Sequence, residues 1–120
     1  MSTIEMKMSA IYEAAHDVLP GKANVFKVRA DDVTQAIEPV LAEVALAGGH
    51  PIGGDLGDLS VEVFVHLRSM VRTFNDSATG LDEIADDFVA VDSEAEAWLA
   101  DHREYLGDPD LPSEPTAPEV

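Results

Sequence analysis

Residues 59–105 read LSVEVFVHLRSMVRTFNDSATGLDEIADDFVAVDSEAEAWLADHREY, and this stretch decides the fold. Stepping from Val63 by four and then three lands on Leu67, Met70, Phe74, Ser77, Leu81, Ile84, Phe88, Val91, Ala95, Trp98, His102 and Tyr105. Only Ser77 and His102 interrupt an apolar series at the 3.5-residue period of helices packed along one another. No proline falls inside it, and the phase survives Gly80. The spacing predicts one helix over about 58–106, roughly 75 Å long at 1.5 Å per residue. A helix of that length cannot cover its own stripe. Val71, Ala78, Ala85 and Leu99 stand one residue after core positions and widen the stripe, as packing against more than one helix requires.

Upstream, two shorter stripes carry the same spacing. Ile4, Met8, Ile11, Ala15 and Val18 predict a helix over about 3–19, opened by a Ser2/Glu5 capping box and closed by Pro20-Gly21. Tyr12 and His16 are expected on its surface. Val25, Phe26 and Val28 predict a short extended connector. Its cations Lys22, Lys27 and Arg29 are expected to pair with nearby carboxylates. Val33, Ile37, Val40, Val44 and Ala47 predict a second helix over about 31–47, kinked at Pro39 and stopped by Gly48-Gly49. The glycine-rich run that follows, including Gly53 and Gly54, reads as a turn between antiparallel helices. It has no Lys-Ser or Lys-Thr of a phosphate loop and no closing Glu of a calcium loop. Residues 107–120 repeat proline every third position among acids and read as a disordered tail. The fold class expected is all-α, in one domain over residues 1–106: an antiparallel hairpin with a long second helix, an added N-terminal helix and the tail.

The composition limits function. A formal net charge of −17 on 120 residues argues against nucleic acid and anionic membrane surfaces as partners. With no cysteine there is no thiolate nucleophile or thiolate metal site. The four histidines are scattered, and no serine stands in a nucleophile turn. No catalytic residue, metal or cofactor is expected, and no segment has the length and apolarity of a membrane span. The expected role is binding, through a partner stripe of Phe74, Leu81, Ile84, Phe88, Val91 and Trp98.

Val25-Phe26-Lys27-Val28-Arg29-Ala30-Asp31-Asp32-Val33, the turn Gly53-Gly54-Asp55-Leu56-Gly57-Asp58, and Leu81-Asp82-Glu83-Ile84-Ala85-Asp86-Asp87-Phe88 with Asp92 together resemble the WxG-type helical hairpin proteins of type VII secretion. No Trp-x-Gly is present; the turn reads Ile52-Gly53-Gly54. The resemblance implies a four-helix bundle formed as homodimer or heterodimer with another helical protein. It also implies an export signal at Phe88 and Asp92, with Phe where the family carries Tyr. The protein would be cytoplasmic, or exported without a cleaved leader. The alternative reading is a cytosolic acidic adaptor — an antitoxin, immunity protein or chaperone — that covers a basic or apolar partner.

Overall fold

A computed structural model describes residues 2–46, 48 and 52–116, without the side chains of residues 41, 44, 46, 52 and 53. All regular structure among them is helical. Helix α1 spans Thr3–Glu13, a π-helical turn spans Ala14–Val18, α2 spans Leu19–Leu46, α3 spans Ile52–Val91 and α4 spans Ser93–Ala100. A 3₁₀ turn, Arg103–Tyr105, follows. The molecule is a rod of 69 × 21 × 17 Å.

The start of α1 is set locally. Ser2 Oγ accepts from the Glu5 backbone N–H (3.1 Å), and Glu5 accepts from the Ser2 backbone N–H (3.2 Å). This is the reciprocal capping box that the sequence predicts.

The expected break at Pro20-Gly21 and the extended connector at 22–30 do not occur: the chain stays helical from Thr3 to Leu46. The π turn explains both. Leu19 N–H bonds to Ala14 O, five residues back. The wider turn inserts one residue into the helical phase at the site where Pro20 has no N–H to give. Four-three steps from buried Met8, Tyr12 and Ala15 would next bury Lys22 and Arg29. The extra residue brings Ala23 and Ala30 inward instead. Phe26 stacks on Phe74 with ring centroids 5.5 Å apart, so tertiary packing overrides the β preference of its neighbours.

Contacts fix the direction of the long helices. Tyr12 meets Asp86, His16 meets Asp82 and Phe26 meets Phe74. As one position rises the other falls, so the α1–α2 stretch runs antiparallel to α3. Gly48, with φ +96°, closes α2 through its N–H to Ala45 O at 3.2 Å. That left-handed backbone suits glycine. The expected turn residues Gly53 and Gly54, with 55–58 after them, instead lie within the start of α3, and residues 49–51 of the expected glycine turn lie outside the described residues. Pro39 and Gly80 are both carried inside continuous helices.

The long helix, expected over about 58–106, ends earlier, at Val91. Asp92 adopts extended backbone, φ −127° and ψ 118°, and its Oδ1 accepts from Ala95 N–H at 2.9 Å. A carboxylate in that geometry starts a new helix. The chain therefore turns at Asp92, and α4 packs against both α1 and α3. The four-three series is apolar on both sides of the turn and so does not reveal it.

The C-terminal segment also departs from expectation. After Gly107 (φ +86°) the chain runs back along the helices, burying Pro109 and Pro115. Residues 112–114 are held against α2 and α3, while 117–120 lie outside the described residues.

Candidate functional site: two faces and a capped end

The buried row on α3 is Phe64, Val71, Ala78 and Ala85, one residue per heptad. Opposite it on α2 stand Ala23 and Ala30. The stripe read from the sequence is displaced from this seam by one residue, about 100° around the helix. Val63, Met70, Ile84 and Val91 are accordingly exposed, Ile84 at 60% and Val91 at 83%. Leu67, Phe74 and Leu81 are half-buried at the edge of the seam, and Phe88 is exposed. The widening positions noted in the sequence are thus the intramolecular seam. The stripe itself is the neighbouring face.

This face holds five of the six stripe residues. Trp98 is the exception. It is 7% exposed and stacks on Tyr12 (5.7 Å) and His102 (4.0 Å). It belongs to the core that α4 closes with Met8, Tyr12, Ala85, Ala95 and Leu99.

That capped end takes in Tyr12 and His16, which were expected on the helix surface. Tyr12 is fully buried, and its hydroxyl donates to Asp86 Oδ1 at 2.7 Å. Burial, then the bond to Asp86 and the charges of Asp86 and Asp82, push the phenol well above its ordinary value. Tyr12 is therefore a fixed donor. Asp82 is 2% exposed, and its Oδ1 lies 2.6 Å from His16 Nε2. Burial raises the Asp82 carboxyl, the His16 bond opposes that, and the Asp86 charge reinforces it. Tyr105 stacks on Tyr12 at 5.6 Å and meets the His16 ring edge-on at 5.4 Å. His102 Nδ1 donates to the Trp98 carbonyl at 2.7 Å. The bonding groups are spent on one another: they orient the aromatic rings and satisfy buried charge. Asp82 and Asp86, four apart and matched to His16 and Tyr12 four apart, were the sequence signal for this arrangement.

The opposite side of the helix pair is polar. Asn75 Nδ2 donates to Pro112 O (2.9 Å), and Lys27 Nζ to Ser113 Oγ (2.8 Å). Arg68 Nε (3.3 Å) and Arg72 Nε (2.7 Å) and Nη2 (3.1 Å) donate to the Glu114 carboxylate. The two guanidinium groups hold that carboxyl down at about 2. Of the expected connector pairings, Arg29 meets Asp32 at 3.4 Å. The expected export residues lie at the α3–α4 junction: Phe88 on the last turn of α3, and Asp92 as the cap of α4.

Among the described residues, no three His, Asp or Glu side chains gather in a metal-holding group, and no helix is long and apolar enough to cross a membrane. Comparison with protein families, curated proteins and solved structures finds no match for the chain.

Proposed function

We propose that this is a non-catalytic helical interaction protein whose apolar face receives another helical chain, completing a four-helix bundle as homodimer or heterodimer. The observation that carries the proposal is the row Val63, Met70, Ile84, Phe88 and Val91, exposed along one side of α3 in a chain of net charge −17. Apolar side chains repeated at heptad spacing are costly to leave in water. An acidic chain can be approached most closely where it carries no acid. The half-buried Phe74 and Leu81 border this row and would line the floor of the contact.

Full-length protein carrying Met70→Glu and Ile84→Glu should keep its helical circular dichroism and lose at least tenfold in association, measured by light scattering across a concentration series. Unchanged association would remove the face from consideration. A contact led by this row changes little with added salt. A complex that weakens steeply with salt would support the acidic adaptor instead.

The resemblance to type VII secretion proteins extends the proposal: a cytoplasmic protein, or one exported without a cleaved leader through a signal at Phe88 and Asp92. Because Asp92 also caps α4, the test is Asp92→Ser. Serine keeps a capping oxygen and removes the charge. Export should fall with thermal stability little changed; export at the original level would end the signal assignment.

A further inference from the structure

The polar side of the helix pair carries a second surface, independent of the apolar face. Three of the chain's seven Lys and Arg residues, Lys27, Arg68 and Arg72, converge on the consecutive residues Ser113 and Glu114. Asn75 holds the carbonyl of Pro112 just before them. Together these side chains grip an extended segment by its backbone, a hydroxyl and a carboxylate.

One atom of the grip is left over. Asn75 Oδ1 is buried and has no hydrogen-bond partner among the described residues. A side-chain amide offers an acceptor beside its donors, matched to the N–H and C=O of an extended residue. Asn75 has bound the C=O of Pro112, and proline has no N–H to return. A buried acceptor left without a donor is unfavourable. The resident segment therefore meets the two arginines with a carboxylate, gives Lys27 only a hydroxyl, and leaves the acceptor of Asn75 unmatched.

We propose that the groove of Lys27, Arg68, Arg72 and Asn75 is a docking site for an extended acidic peptide from a different protein. The peptide carries a glutamate two residues after a non-proline residue, whose N–H reaches Asn75 Oδ1. The chain's own 112–114 segment is the resident competitor. A second copy of this chain brings the same proline and is no better an occupant.

The probe is a fluorescein-labelled peptide of residues 107–116 with alanine in place of Pro112, followed by anisotropy. The receptor is the full chain carrying Glu114→Lys, which expels the resident segment from the arginines; Glu114→Gln serves as a second receptor if circular dichroism shows the first misfolded. The alanine probe should bind these receptors at least tenfold more tightly than it binds the unaltered chain. The same probe with its native proline should bind about tenfold more weakly, reflecting the missing hydrogen bond. Adding Asn75→Ala should bring the two probes to equal affinity, and adding Arg72→Glu should abolish binding. The proposal is overturned by equal binding to altered and unaltered chains, by equal affinity of the two probes for Asn75-containing receptors, or by binding that survives Arg72→Glu.

Discussion

At one end of the rod, Met8, Tyr12, Trp98 and Leu99 are buried together where α4 folds onto α1 and α3. Toward the other end, Val40, Leu59 and Val61 stand exposed on α2 and α3. Two helices alone cover few large side chains; along α2 and α3 away from α4, Phe64 and Val71 are the ones buried. There the seam of α2 and α3 sets these two among small residues, Ala23, Ala30 and Ala78, with other large ones half in water at its edges. A third helix changes that geometry, and rings of Trp and Tyr become coverable. The difference separates two jobs. The capped end concentrates buried contacts within the chain, while the two-helix rod leaves apolar surface free for another chain.

The hardest test of this contrast is Trp98→Ala. Emptying a fully packed aromatic site costs about 3–5 kcal/mol, to be read by chemical denaturation. Leu59→Ala on the exposed rod should stay within about 0.5 kcal/mol. Comparable losses at the two sites would show that the two ends of the rod are equally well packed. Next in size is Asp82→Ala, which leaves His16 without its buried partner at about 1–3 kcal/mol; an unchanged midpoint would show that the His16 bond carries no weight.

The smallest effect concerns the C-terminal segment and has a defined pH window. The ordinary value for the Glu114 carboxyl is 4.5, and the arginines hold it down to about 2. The ionised form is the one bound, so its contribution is complete above pH 4.5 and disappears as pH falls toward about 2. A carbon-detected titration of Glu114 should therefore lag the other exposed carboxylates. A midpoint near 4.5 would mean that the segment is not clamped.

Some of these features could be read directly from residues. Ser2 and Glu5 define the first cap because their partners lie three residues away. Gly48 ends α2 by its own backbone freedom. The heptad pattern of 63–91 requires a helix whatever surrounds it. Other features depend on residues far apart in the chain. Pro20 signals disruption of a helix, but whether that means a break or a π turn depends on what the following residues gain by remaining helical. Here the gain comes from Phe26 on Phe74 and from Ala23 and Ala30 at the seam. Tyr12, His16 and Asp82 look like surface residues until antiparallel pairing places each beside its partner.

That the chain is helical, acidic and striped follows from its residues alone, because periodicity, capping and charge are properties of neighbours. Which side of the stripe faces inward depends on packing between helices far apart in the chain. The seam lies one residue away at Phe64, Val71, Ala78 and Ala85. Alanines at the seam, Ala78 on α3 with Ala23 and Ala30 on α2, let the helices approach closely, and that choice leaves Val63, Met70, Ile84 and Val91 facing out.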